Sequence, residues 1–332
     1  MPSGGPPVNA VPVAEIVRNG FVEGHHYGSV VALAADGTVE WSVGDIDVPM
    51  LPRSCNKPVQ ALGMVRVGLD LPSELLALAC ASHSGEPFHI DGVRRILAGA
   101  GLTEADLQTP PDYPLDDDAR EALIREDGER APVLMNCSGK HAAMLATCVA
   151  NGWPTDTYRE PDHPLQQAIA ATFADLTGEP IAVTAVDGCG APLFSASLVG
   201  LAQAFRRLTL GETDSGDADL DAARVADAIR AHPAYVSGTT RDERALLTAI
   251  PGAIGKAGAE GCYAVALRDG RAFALKTDDG AARVRPVLMA EALRRSGVLD
   301  DEGVDSEAVR RTGVVELLGG GRPVGEIRAL LS

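Results

Sequence analysis

The sequence predicts an α+β fold, one antiparallel sheet with flanking helices. Three observations point there. Strand-like alternation concentrates near both ends of the chain, apolar spacing of helical period fills the middle, and two Asp-Gly pairs each separate strand-like runs. Those pairs, Asp36-Gly37 and Asp269-Gly270, are hairpin signals because their residues accept the positive φ that tight turns need. Strands at the two ends with helices between them are satisfied most simply when the termini pair in one sheet.

Taken in order, residues 15–22, 28–33 and 38–43 read as strands, the last two joined at Asp36-Gly37. Pro52 ends that region, and 57–69 carries apolar residues at helical spacing. A short helix at 74–80 stops before Ala81-Ser82-His83-Ser84-Gly85, and a third helix covers 89–98. Residues 108–130 contain Pro110-Pro111, Pro114 and Asp116-Asp117-Asp118, a long polar connection with a short helix at 119–125. Helices resume at 140–149 and 164–176, with His163-Pro164 and later His232-Pro233 as helix starts. Residues 181–186 read as a buried strand that stops at Asp187-Gly188-Cys189-Gly190. Helices then run to about Leu247, interrupted by a solvated acidic loop at 212–221. A hairpin of 262–267 and 271–275 turns at Asp269-Gly270, a helix spans 281–295, and 314–331 mixes helix and strand signals. There is no internal repeat, low-complexity segment or linker. The expectation is a single domain over 13–332 behind a loose tail, 1–12.

Composition narrows the function classes. No apolar run approaches the roughly 18–20 residues of a membrane helix. The Pro-, Gly- and Ser-rich tail lacks the basic and apolar regions of a signal peptide, so a cytoplasmic location is expected. A formal charge of −17 argues against nucleic acid or an anionic membrane as partner, and solubility is its plain explanation. Six cysteines scattered through a large chain without an export signal suit free thiols, some of them available to ligate a metal, better than a disulfide framework.

The 29 basic residues include only four lysines, Lys57, Lys140, Lys256 and Lys276. Where a surface cation need only be positive, this chain uses arginine. Lysine differs because desolvation can strip its proton, leaving a base or a metal ligand. The lysines are therefore suspects, although Lys276, late in a strand-like run, reads as an ordinary surface cation.

Ser54-Cys55-Asn56-Lys57 is a Ser-x-x-Lys at a helix entrance. Positions i and i+3 share a face there, so a neutral amine could take the serine proton. Penicillin-recognising enzymes use the same spacing, yet average usage yields about one such match per chain of this size. Arg53 beside it could bind an anion or simply face solvent. Ser82 offers a second hydroxyl after an apolar helix, or only a helix stop at Gly85. Lys256 in Ile254-Gly255-Lys256-Ala257-Gly258 resembles the Lys-x-Gly element bordering such sites, or is an exposed cation in a loop. Asn136-Cys137-Ser138-Gly139-Lys140-His141 is neither a Walker A loop nor, by itself, a closed zinc site. Cys137 and Cys189 both sit in polar, Gly-bearing turns, and a nitrogen from Lys140 or His141 could complete a zinc site with one open position. His25, His26, His89, His163 and His232 show no convergent partners.

In this order, six segments resemble the rhizobial-type L-asparaginases: 52–62 (PRSCNKPVQAL), 80–85 (CASHSG), 136–141 (NCSGKH), 161–166 (PDHPLQ), 187–189 and 254–258. The resemblance implies hydrolysis of L-asparagine to L-aspartate and ammonia, on a fold similar to serine β-lactamases and glutaminases, by a homodimer. It pairs Ser54 with Lys57 and Ser82 with Lys256. It assigns zinc to Cys137, Lys140 and Cys189, with Asp187 beside them; Arg53, His141 and Asp187 are expected to face the substrate. Gly238-Thr239-Thr240-Arg241 and the Cys55 inside the serine motif depart from the pattern expected. Two alternatives stay open: a serine amidohydrolase acting on glutamine, a β-lactam or a peptide, and a non-catalytic zinc-binding protein.

Overall fold

The computed structural model describes residues 10–213 and 217–331. Most of the 1–12 tail and the centre of the 212–221 acidic loop therefore lie outside the described residues. Ten strands are present: β1 (Val11–Arg18), β2 (Phe21–Leu33), β3 (Val39–Val43), β4 (Thr184–Val186), β5 (Pro192–Phe194), β6 (Ile254–Ala257), β7 (Cys262–Ala266), β8 (Ala272–Thr277), β9 (Glu316–Gly319) and β10 (Arg322–Ala329). Eight form one antiparallel sheet in the order β6-β7-β8-β2-β1-β10-β9, with β3 also on β2. The expected pairing of the two ends is there: Ala14 faces Ala329 and Arg18 faces Gly325 across β1 and β10.

The long β2 organises the sheet. Its first half pairs with β1, while its second half pairs with β8 on one side and β3 on the other. The predicted strand at 15–22 is in fact the end of β1, a turn and the start of β2. The turn is Asn19-Gly20, both at positive φ, a hairpin signal that continuous apolar alternation through Val17 and Phe21 concealed. The expected buried strand at 181–186 is only the short β4, paired with β5 in an isolated ribbon. With no second sheet over it, Val183 and Val186 are exposed. Residues 254–258 hold the edge strand β6 and no loop, and 314–331 resolves into the β9–β10 hairpin.

The helices are α1 (Lys57–Arg66), α2 (Ser73–Ala79), α3 (Pro87–Gly99), α4 (Asp117–Arg125), α5 (Ser138–Asn151), α6 (Pro164–Thr177), α7 (Leu198–Leu210), α8 (Leu220–Ala231), α9 (Pro233–Val236), α10 (Asp242–Ala249), α11 (Arg285–Arg295) and α12 (Ser306–Thr312). α7 packs on β2, β7 and β8, and α11 on β8 and β10. β7 and β8 are consequently buried nearly throughout, unlike a sheet with one wet face. A second layer of helices, α1 on α6 and α8, α2 on α5 and α8, continues the same core away from the sheet. No helix among the described residues is long and apolar enough to cross a membrane. All six cysteines are free and buried.

Two glycines let distant segments meet where the helices approach the sheet edge. A Cβ on Gly258 would lie 2.9 Å from the Pro52 carbonyl oxygen and 3.0 Å from Cys55 Sγ. One on Gly139 would lie 2.7 Å from the Leu78 carbonyl oxygen. Any larger residue would force β6 away from the Ser54 turn, or α5 away from the end of α2.

His89 on α3 is fully buried, stacked against His83 with ring centroids 5.2 Å apart. Its Nε2–H donates to the Ala234 carbonyl at 3.0 Å, so a second proton must go to Nδ1, which has no partner. Burial thus pushes the imidazole down to about 4. The depressed value means that its contribution is intact above pH 6.5 and is lost as pH falls from 6.5 toward 4, where only the unfolded chain takes up the proton. In urea titrations across this window, His89→Gln should lose stability less steeply than the wild type, by about 1.4 kcal/mol per pH unit. Equal slopes would mean that His89 protonates freely in the folded state.

Candidate active site

The candidate residues converge where α1, the end of α2, the start of α5, the β4–β5 turn and β6 meet. Arg53, Ser54, Cys55 and Asn56 form a 3₁₀ turn that runs directly into α1, with Pro58 suited to the first helical turn. Arg53 takes φ +50°, a left-handed conformation uncommon for a side chain of its size. The turn is tied to β6 by Cys55 Sγ, which donates to the Lys256 carbonyl oxygen at 3.0 Å. Burial, together with contact from Cys262, pushes the Cys55 thiol well up, so Cys55 is a packing residue with no free thiolate.

The Lys57 amine is fully buried and donates to the Ala81 carbonyl oxygen at 2.6 Å and to Ser82 Oγ at 2.9 Å. Its hydrogen-bonded serine is thus Ser82, and not the Ser54 of its own motif. Lys256, also fully buried, donates to Glu243 Oε1 and to the Ala257 carbonyl oxygen, both at 2.8 Å. The expected pairs are not the hydrogen-bonded ones: Lys57 bonds Ser82, and Lys256 bonds Glu243 and no serine. Sequence reasoning missed Glu243. In the first turn of a helix an acidic residue is ordinarily explained by the helix dipole, so nothing marked it.

Ser82 is held by its surroundings. Its N–H donates to the Val236 carbonyl oxygen at 3.2 Å and is therefore not free to stabilise an oxyanion. Next to it, His83 Nδ1 accepts from the Gly85 N–H at 3.1 Å. Nε2 must then carry the proton, and it donates to Ser138 Oγ at 2.8 Å, which in turn donates to the Val133 carbonyl oxygen. Burial holds His83 neutral, well below its usual range, and this chain anchors the segment to the start of α5. On the other side, the Gly238–Arg241 stretch bonds to the same region through Thr239, whose N–H and hydroxyl both donate to Glu86.

The second cluster lies around Cys189. The Lys140 amine donates to Cys189 Sγ at 3.2 Å, and Asp187 Oδ2 lies 3.7 Å from that sulfur. Hydrogen bonding from the Cys137 thiol, with the Lys140 ammonium, holds Cys189 as a thiolate against the effect of burial. The same contact and burial push Cys137 up. Burial would push the Lys140 amine down, but the Cys189 thiolate outweighs it and raises it. His141 Nδ1 meets Tyr158 OH at 2.6 Å, burial lowers the imidazole to about 4, and its Nε2 is buried without a hydrogen-bond partner. Among the described residues no group of three or more His, Cys, Asp and Glu side chains is arranged around a metal position. The set that fits zinc instead counts a lysine: two sulfurs and an amine, with the orphaned imidazole nitrogen beside them. Zinc binding there would expel the protons of Cys137 and Lys140.

Asp187 bridges the two clusters. Arg53 Nε donates to Asp187 Oδ1 at 2.8 Å, with both side chains partly open to solvent. The pair sets a positive and a negative group side by side where solvent reaches them. Lys276, read as a surface cation, is half-buried and caps the Glu260 carbonyl, outside this set.

Solved structures similar to this chain include a β-lactamase from Mycobacterium bovis, 15% identical with a TM-score of 0.45, covering 81% of this chain and 94% of its own. A second is a Bacillus subtilis glutaminase in covalent complex with 5-oxo-L-norleucine, 12% identical with a TM-score of 0.38, covering 82% and 88%. These likenesses are distant, and comparison with curated proteins gives no match. The sequence model of the L-asparaginase II family, by contrast, matches residues 14–329, nearly the whole chain and every segment of the site, and the chain belongs to that family.

Proposed function

We propose that the protein is an L-asparaginase, hydrolysing L-asparagine to L-aspartate and ammonia through a serine acyl-enzyme. The observation that carries this reading is a buried lysine amine 2.9 Å from a serine hydroxyl, in a chain of an amidohydrolase family. A buried amine held by a carbonyl and a hydroxyl is a base in waiting once it loses its proton.

In this reading Ser54 Oγ attacks the side-chain amide carbon of asparagine, and its proton passes to Lys57, directly or through Ser82. Lys57 returns that proton to the leaving nitrogen, so ammonia departs and the acyl-serine remains. Water then attacks the ester carbon, gives its proton to Lys57, and aspartate leaves as the serine recovers its hydrogen. Arg53 receives the α-carboxylate and Asp187 the α-ammonium, which requires the Arg53–Asp187 bond to open as substrate enters. Cys137, Lys140 and Cys189 would hold zinc, with His141 alongside. When bound, that ion supplies a fixed positive charge that helps orient the substrate. The working form is proposed to be a cytoplasmic homodimer.

The contact between Lys57 and Ser82 favours a second reading of the nucleophile, in which Ser82 carries the acyl group and Ser54 relays protons. Glutamine, β-lactams and peptides are the competing substrates, and a non-catalytic zinc-binding protein is the competing class.

Purified protein should release ammonia from L-asparagine faster than from glutamine. Lys57→Arg should lower turnover about 10²–10⁴-fold, because arginine keeps the charge but cannot act as a base. Unchanged turnover would remove Lys57 from the chemistry. A diazoketone analogue of asparagine, which loses dinitrogen as it alkylates, should add its remaining mass to the wild type and to Ser82→Ala but not to Ser54→Ala, with the reverse pattern if Ser82 is the nucleophile. Metal analysis should find zinc in the wild type and little in Cys189→Ala; equal content would dispose of the zinc site.

A further inference from the structure

We propose that Glu243 is a positioning residue of the site: it holds the Lys256 amine in place and charged, so that Lys57 is the lysine left to act as base. The proposal rests on the asparaginase reading for its catalytic meaning, but its physical content can be tested without substrate.

Geometry carries the argument. Glu243 stands in the first turn of α10 and Lys256 in β6, and their charged groups meet at 2.8 Å with both side chains wholly buried. Both hydrogen bonds of the Lys256 amine, to Glu243 and to the Ala257 carbonyl, turn it from Ser82, whose hydroxyl is taken by Lys57. Glu243 spends one oxygen on Lys256; the other, Oε2, is buried without a hydrogen-bond partner, and the nearest further cation, Arg241, stands 4.0 Å away. A buried ion pair of this kind stabilises a fold no better than apolar residues of the same volume. Stability alone therefore does not account for the pair, and charge placement does.

The surrounding groups set the direction. Burial pushes the Lys256 amine below its usual range; Glu243 is the group that opposes this, against the further push of Lys57 from α1 and of Arg241. Tyr263 of β7, its hydroxyl pushed well up by burial, also feels Asp242 and Glu243 of α10 and Arg285 of α11. Cys80, at the end of α2, is also neutral, its thiol pushed up to about 12 by burial. With the Lys256 amine held on Glu243 and the Ala257 carbonyl, Lys57 is the lysine whose amine meets a serine hydroxyl.

Four lysines make the test direct, because isotope labelling of lysine alone resolves each amine by NMR. Glu243→Gln keeps the shape and an oxygen acceptor while deleting the charge. The Lys256 titration midpoint should fall by at least about one pH unit, with Lys140 and Lys276 unmoved. In asparagine hydrolysis the acidic limb of the pH–rate profile should move, because the charge beside the catalytic lysine changes. Glu243→Asp, charged but one methylene shorter, should shift Lys256 only part of the way and serves if the glutamine variant folds poorly. An unmoved Lys256 midpoint in the folded variant overturns the proposal, as does a rate lowered equally at all pH with the limb in place. If the wild type releases no ammonia, the asparaginase reading fails while the lysine titration still decides the role of Glu243.

Discussion

The site depends on burying three ammonium groups in one small volume. Lys57, Lys140 and Lys256 are at most 1% exposed, and a cation removed from water costs several kcal/mol unless something replaces its hydration. Each is offset differently: Lys57 by a carbonyl and a hydroxyl, Lys140 by a thiolate, Lys256 by a carboxylate. Those three kinds of partner prepare three kinds of chemistry. One amine thus faces only neutral oxygens, one faces sulfur, and one faces a carboxylate.

The fold exists in the form it does because these partners come from distant segments. Ser82 follows α2, Glu243 opens α10, and Cys189 sits in the turn of a small ribbon, while the lysines come from α1, α5 and β6. Only a packed helical layer standing on a sheet edge brings them together. The glycines at 139 and 258 remove the side chains that would hold the layers apart. The helices on β8 keep the sheet side of this junction dry.

Much of this was legible because lysine is scarce in a chain that otherwise writes arginine, and three of the four lysines are the buried ones. The end-to-end sheet was legible from alternation and turn residues. What could not be read was pairing. Ser54 and Lys57 are neighbours in sequence, and only the direction of a side chain decides that the amine goes to Ser82. Glu243 looked like a helix-dipole residue, and Asn19-Gly20 was lost inside an apolar alternation that ran across it. The strand β6 was ambiguous with a loop because its four residues include a glycine and a lysine, both poor strand formers, and burial alone makes them a strand.

The pairing of β1 with β10 has a consequence for synthesis. Strand β1 is joined on one side by β2, which follows at once, but its other neighbour lies more than three hundred residues downstream. While the helical layer is being translated, β1 presents an open edge of unpaired backbone groups, the kind of template on which other chains nucleate. The sheet closes around that edge only after β10 has left the ribosome, so a chain stalled late in translation would hold nearly the whole core and still lack its final seal.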